Sequence, residues 1–315
     1  MPPASDTPGS DQPDNSDGRR QPWKSFFSGE ESGSEAESAD DQLSLAMDPL
    51  HVTAPEDEIV RLNYFQDSEI FEHEKPYEIL SQAPPGIERS NFQLRPGQPE
   101  TIHDLRGLRT IFNLDQNGFQ VVSNTLKTSC FDEATIKKDY LPSIEALLKS
   151  VEPDIDVHFF DWTVCNHHQH VFQVDQSPFA AIKRAKSILG NDISLLQTKR
   201  IRIINIWRPM YHPVEDWPLA VCDGSTVPPE KLIKVDHVRK HHIGESLYPL
   251  ESDSYRWYYL NKQTPDEALL IKMFDSKEDV VAKCCPHTSF QKKKIAPSGK
   301  ARESIEVRAL VVSSF

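Results

Sequence analysis

Residues 200–209 (RIRIINIWRP) and 267–275 (EALLIKMFD) alternate with a period of two and place apolar side chains on both faces, the pattern of strands buried in a sheet. The same period returns near the carboxyl end. There Ile305, Val307, Ala309 and Val311 fall on one face and Glu306, Arg308 and Leu310 on the other. Residues 156–164 (DVHFFDWTV) and 254–261 (SYRWYYLN), rich in aromatic and β-branched side chains, predict two more strands. Shorter extended segments are expected at 101–113 and 118–122, and a loop at 64–89, punctuated by Pro76 and Pro84-Pro85. Helical spacing is clear at Leu141, Ile144, Leu147, Leu148 and Val151, which predicts a helix over 140–151. A second helix follows Ser177, an N-cap residue with Pro178 at the first helical position. It stops before Gly190, suited to the C′ site. Strands outnumber helices after residue 155, with no regular βαβ alternation. The expected fold is therefore mainly β with peripheral helices (α+β), an antiparallel double-sheet barrel.

This pattern begins only near Glu56. Residues 1–55 are rich in Ser, Pro, Gly, Asp and Glu and poor in aliphatics, so they cannot bury enough surface to offset their ordering entropy. The expected organisation is a disordered acidic tail over 1–55 and a single domain over 56–315. The first 50 residues hold 11 acids and 3 bases, so most of the net charge of −13 belongs to the tail. The body is only mildly acidic, which argues against nucleic acid as a partner. Serines beside acids at 28–41 suit an acidophilic kinase, with an inert solvating tail as the alternative, and the tail is a candidate contact for a pathway enzyme. No apolar run approaches 18 residues and no signal peptide is recognisable, so no membrane partner is expected. Five cysteines without a C-x-x-C pair make neither a disulfide framework nor a zinc ribbon and point to a reducing, cytoplasmic setting.

Candidate chemistry gathers at two places. The first is Pro286-His287-Thr288-Ser289-Phe290 with Arg302 and Ser304 beyond a basic loop. A histidine at a strand end suits a metal ligand, and a planar guanidinium suits a carboxylate, with Ser304 on the same strand face as a further donor. The plainer alternative is a satisfied surface histidine, with Arg302 and Arg308 pairing Glu303 and Glu306. The second place is His167-His168-Gln169-His170 followed by Gln173-Val174-Asp175-Gln176, where Asp175 lies between a short strand and a helix start. His237 and His241 would share a helix face, but no glutamate follows His237 to complete a metalloprotease pattern. Cys284-Cys285 beside His287 hints at a Cys-His nucleophile, although adjacent cysteines point to opposite faces.

Six blocks in order carry a resemblance. They are Thr101-Ile102-His103-Asp104-Leu105-Arg106, Gln173-Val174-Asp175-Gln176, Asn205-Ile206-Trp207-Arg208-Pro209, and Pro218-Leu219-Ala220-Val221-Cys222-Asp223. Pro286-His287-Thr288-Ser289-Phe290 and Arg302-Glu303-Ser304-Ile305-Glu306-Val307-Arg308 complete the set. From about residue 63 to residue 315 the chain resembles a fungal hydroxylase/desaturase family that includes the gibberellin desaturase. The family is itself similar to one chain of the bacterial cephalosporin methoxylase system. The resemblance implies a non-haem Fe(II), 2-oxoglutarate-dependent oxygenase on a double-stranded β-helix (jelly-roll) core, acting on a small organic substrate of secondary metabolism. In such enzymes two histidines and one carboxylate hold one face of the iron. By position, Asp175 resembles the carboxylate ligand, His287 the distal histidine, and Arg302 with Ser304 the clamp on the cosubstrate carboxylate. Arg208 is a second candidate for holding an acidic group, with a structural ion pair as the alternative.

One departure matters. The family places its first histidine two residues before Asp175, where this chain has Gln173, a neutral oxygen donor and a poorer partner for Fe(II) than imidazole. Three readings are open. Iron binds through Asp175, His287, Gln173 and water; or His170 supplies the missing nitrogen; or iron has been lost and the pocket does redox-neutral work. The leading expectation is hydroxylation, desaturation or oxidative cyclisation. The alternatives are a cyclase, isomerase or dehydratase on the same fold, or a non-catalytic partner subunit.

Overall fold

The computed structural model describes residues 56–108, 110–165, 173–190, 197–294 and 300–315. The acidic tail, the histidines at 167, 168 and 170 and part of the basic loop lie outside the described residues.

Three sheets organise the chain. The first contains β1 (Glu58–Phe65), β3 (Leu94–Asp104), β10 (Trp257–Tyr259), β7 (Leu219–Cys222) and β12 (His287–Ser289), in that spatial order. The second contains β4 (Phe119–Ser123), β11 (Glu267–Asp275), β6 (Arg200–Pro209), β13 (Ser304–Ser313) and β5 (Ile155–Cys165). The third contains β2 (Tyr77–Ile79), β8 (Leu232–Arg239) and β9 (His242–Pro249). Two isolated bridges stitch the first sheet to the third: Gln173 pairs with His287 of β12, and Val174 pairs with Leu247 of β9. Val221, Tyr258, Val174 and Leu247 on this side meet Phe119, Ile203, Trp207 and Ile271 of the second sheet in one apolar core. The result is the expected double-sheet jelly roll.

Two helices pack outside and beside it. In α1 (Leu141–Val151), Ile144, Leu147 and Leu148 cover Ile204, Ile206, Val307 and Ala309 on the outer face of the second sheet. Each such side chain, once buried, stabilises the fold by about 1.5–3 kcal/mol. A turn of π helix, Ile136–Tyr140, precedes α1 and buries Tyr140 with it. In α2 (Pro178–Leu189), Ala181 and Ala185 occupy one face four residues apart, and their small size seats the helix against the core. Ser177 caps α2 by accepting from the Ala180 amide at 3.2 Å, and Gly190 ends it at φ +82°.

The long periodic segments match their expectations closely, and the short ones do not. The extended segment expected at 101–113 ends at Asp104 and gives way to turns, and the one expected at 254–261 shrinks to β10. The loop expected at 64–89 contains the end of β1 and all of β2, which exists because it lies alongside β8. His237 and His241 share no helix: the first is on β8 and the second in the turn between β8 and β9. Nor does His287 end the 267–275 strand; it opens β12, which pairs with β7. Among the described residues, no helix is long and apolar enough to cross a membrane.

Candidate metal and cosubstrate site

Along the inner face of β6 and β13, composition changes from apolar to polar. On β6, Ile201 and Ile203 give way to Asn205 and Trp207. On β13, read in the opposite direction, Val312 and Leu310 give way to Arg308, Glu306 and Ser304. The antiparallel register sets Asn205 opposite Arg308 and Trp207 opposite Glu306, and β5 adds Asp161 opposite Arg308 and Thr163 opposite Glu306. Because facing residues share a sheet face, all these side chains project to one side. Of these, Thr163, Trp207, Ser304, Glu306 and Arg308 line a cavity of about 70 Å³ together with Gln173, Asp175, His287 and Arg302. A larger cavity of about 590 Å³ adjoins it, sharing Gln173, Asp175 and Arg308.

Asp175 reaches this place because Gln173 and His287 exchange two backbone hydrogen bonds, at 3.3 and 3.2 Å. Ser246 Oγ then donates to the Asp175 carbonyl at 2.8 Å. The carboxylate is held from two sides. Oδ2 accepts from Asn205 Nδ2 at 2.8 Å and from Arg308 Nε at 3.0 Å, while Oδ1 accepts from Gln173 Nε2 at 3.1 Å. Burial pushes the Asp175 carboxyl up, but Arg308, His287 and Asn205 outweigh it and hold the group well below the usual carboxylate range. Arg308 also bonds Glu306 Oε1 and Asp161 Oδ2, both at 2.8 Å. Its pKa rises because of Asp175 above all.

His287 is placed by β12 and by the loop before it. Gly118 (φ +79°) and Gly224 let their backbones approach the Cys284 carbonyl, where an added Cβ would collide. His287 Nδ1 lies 3.3 Å from the Cys285 carbonyl, an acceptor. When the ring is neutral its proton belongs on Nδ1, and the Nε2 lone pair then faces Asp175 Oδ1, 3.9 Å away. The cysteines beside it are not nucleophiles. Burial pushes the Cys284 thiol up to about 12 and the Cys285 thiol far above its usual value, so neither forms a thiolate near neutral pH.

At the other end of the small cavity, Arg302 Nη1 donates to the Trp217 carbonyl at 2.9 Å, and its guanidinium carbon stands 5.7 Å from the centre of the Trp207 ring. Ser304 is fully buried, and its Oγ has no hydrogen-bond partner among the described residues. A buried hydroxyl without a partner costs about 1–3 kcal/mol, so a ligand acceptor at this spot would be favoured. Next to the carboxylates, the buried Gln173 Oε1 is likewise without a partner. Ligand atoms of Asp175, His287 and Glu306 all lie within 4.8 Å of one another. An imidazole, carboxylates and an amide oxygen suit a divalent first-row ion, and Ser304 with Arg302 suits an organic carboxylate.

Asp175, His287, Gln173, Arg302 and Ser304 line one cavity, and Arg208 does not join them. It is one residue out of phase with Trp207 on β6 and projects to the helix side. There its guanidinium donates to the carbonyls of Asn124 and Pro265 and to Asn124 Oδ1, and lies 5.8 Å from the Tyr140 ring centre. Among the described residues it makes no ion pair, and it lines neither cavity. The sequence suggested no site role for Asn205, Glu306 and Arg308 and offered the last two only as an ion pair, which the structure contains. The last two were legible, since they share the parity of Ser304 on β13.

A family model described as "Oxidoreductase/YMDC permease-like domain" matches residues 62–312. The chain is 32% identical over 245 residues to an Fe(II)/2-oxoglutarate-dependent dioxygenase of Aspergillus novofumigatus, covering 72% of this chain and 87% of that one. It is also 32% identical over 249 residues to a hydroxylase/desaturase of Hormonema carpetanum, covering 68% and 83%. Among solved structures, an iron and alpha-ketoglutarate-dependent endoperoxidase superposes with a TM-score of 0.75 at 29% identity, covering 83% of this chain and 100% of that one.

Proposed function

The chain belongs to the family of fungal Fe(II)/2-oxoglutarate-dependent dioxygenases and hydroxylase/desaturases, and from that premise we propose how its site works. The protein is an oxidoreductase of secondary metabolism that hydroxylates, desaturates or oxidatively cyclises a small organic substrate. Asp175 and His287 would hold Fe(II), with Gln173 beside them where the family places its first imidazole. Arg302 and Ser304 receive a carboxylate of 2-oxoglutarate. When bound, iron and cosubstrate supply the oxidising equivalents from dioxygen, and the chain supplies position and charge. Asn205 and Arg308 orient the Asp175 carboxylate through Oδ2, and Gln173 Nε2 donates to Oδ1, the oxygen that faces His287. The Cys285 carbonyl fixes the His287 tautomer. Phe160, Phe179 and Ile243 give the larger cavity an apolar wall for the substrate body.

The single observation that carries this reading is the convergence of Asp175 and His287 in one cavity with the buried Ser304 hydroxyl, which has no partner among the described residues. Anaerobic titration with Fe(II) and 2-oxoglutarate tests it. The visible metal-to-ligand charge-transfer band is expected in the native protein, absent in His287→Ala, and shifted to higher cosubstrate concentration in Arg302→Ala. A native protein with no band at saturating concentrations of both would overturn it. Gln173 favours a second reading, a redox-neutral enzyme on the same barrel. That reading predicts no band until Gln173→His restores one, and turnover that survives chelation.

A further inference from the structure

We propose that Glu306 is the third protein ligand of the metal, taking the place that the Gln173 position cannot fill with an imidazole. This rests on the reading of Asp175 and His287 as a metal centre and extends it to a residue outside the expected set.

Geometry comes first. Bonds of about 2.0–2.2 Å place adjacent donors around a common ion roughly 3 Å apart and opposite donors roughly 4 Å apart. The carboxylate oxygens of Asp175 and Glu306 and the ring nitrogen of His287 already lie within 4.8 Å of one another. Closing round an ion therefore requires shifts of an ångström or less, within the reach of side-chain rotation. Glu306 is also firmly positioned. It sits on β13, hydrogen-bonded to β6 on one side and β5 on the other, and faces Trp207 and Thr163 in register. Ligands built on a strand flanked on both sides need little ordering when metal binds.

Charge points the same way. Arg308 bonds three carboxylates, those of Asp161, Asp175 and Glu306, so one cation answers three anions and the cluster keeps a formal charge of −2. A divalent cation between Asp175 and Glu306 balances it. Ser304, two residues earlier on the same strand face, is fully buried in the same cavity, with no hydrogen-bond partner for its hydroxyl among the described residues. That hydroxyl marks the space as built for a ligand.

Gln173 takes a different role in this arrangement. Its Nε2 donates to Asp175 Oδ1, so the amide steadies a ligand while Glu306 contributes the third anionic donor. The resulting set has one imidazole and two carboxylates. Replacing a nitrogen donor with a carboxylate shifts preference toward Mn(II) and Fe(II) and away from the softer late metals.

The test uses the purified full chain under argon, titrated with Mn(II) and followed by the electron paramagnetic resonance signal of the free ion. Native protein, His287→Ala, Glu306→Gln and the double variant Gln173→His with Glu306→Gln are compared. Glutamine keeps an acceptor for Arg308, and a thermal melt of each variant confirms that it is folded. Glu306→Gln is expected to weaken Mn(II) binding by about 10- to 100-fold, a loss that even outer partners of metal ligands can cause. The double variant should recover most of it by restoring an imidazole. If Glu306→Gln binds as tightly as native while His287→Ala does not, the metal centre stands and the role of Glu306 is refuted. If the double variant binds no better than Glu306→Gln, a structural role for Glu306 replaces the ligand role. A native protein that binds neither Mn(II) nor Fe(II) refutes the metal centre itself.

Discussion

Replacing Arg308 with Met removes the one cation that the site's acids share while keeping most of the aliphatic stem. In the native fold its guanidinium contacts Asp175, Glu306 and Asp161 at 2.8–3.0 Å. The side chains of Asp175 and Glu306 are 7% and 15% exposed, so water can do little to replace the lost partner. Leaving a buried charge unpaired costs about 3–5 kcal/mol, and here two carboxylates are left facing each other. For a domain of this size each kcal/mol corresponds to about 2–4 °C in melting temperature, so the metal-free variant should melt roughly 6–20 °C below native. Thermal melts by circular dichroism in the presence of chelator measure it. Repeating them with Mn(II) should narrow the gap, because the ion supplies the positive charge that Arg308 no longer provides. At 100 times its dissociation constant a bound ion adds about 2.7 kcal/mol. A metal-free variant that melts within about 2 °C of native would refute the account of Arg308 as the counter-charge of a buried carboxylate pair.

Two further outcomes follow from groups near and far from the site. His237 lies between Ser246 and Tyr248, and burial, reinforced by Arg239, lowers its pKa from the usual 6.5 to about 4. Above pH 6.5 both folded and unfolded forms are neutral. Between 6.5 and 4 the unfolded chain takes up a proton that the fold refuses, so stability falls as pH falls by up to about 3 kcal/mol and levels off below 4. Urea unfolding at pH 7 and pH 4.5 should show His237→Gln losing much of that slope, and an unchanged slope would discredit it. Arg208→Met should cost about 1–3 kcal/mol through the carbonyls of Asn124 and Pro265 that it leaves without a donor, with no change in 2-oxoglutarate affinity. A large loss of cosubstrate affinity in that variant would return Arg208 to the site.

The sequence alone determined the parts of this protein whose stabilisation is local or periodic. β6 and β11 match their predicted ends because uninterrupted alternation allows one register against a core. α2 matches because Ser177, Pro178 and Gly190 satisfy or end its backbone bonding within a few residues. Asp175 and His287 were legible as chemistry because their residue types stand in recognisable blocks. Tertiary structure decided what depends on partners far along the chain. The three-residue strands β2, β10 and β12 carry too few side chains to show a period and exist only through their neighbours. Arg208 and Arg302 look alike in sequence, but Arg208 emerges from β6 on the helix side, whereas Arg302, in the segment just before β13, lines the cavity. Glu306 gained its place for the opposite reason. Parity puts it beside Ser304 and Arg308, but only the bridge between Gln173 and His287 brings Asp175 and the imidazole across from the other sheet to meet it. A contact between residues more than a hundred positions apart depends on how two sheets close over a shared core, and no local pattern along the chain encodes that distance.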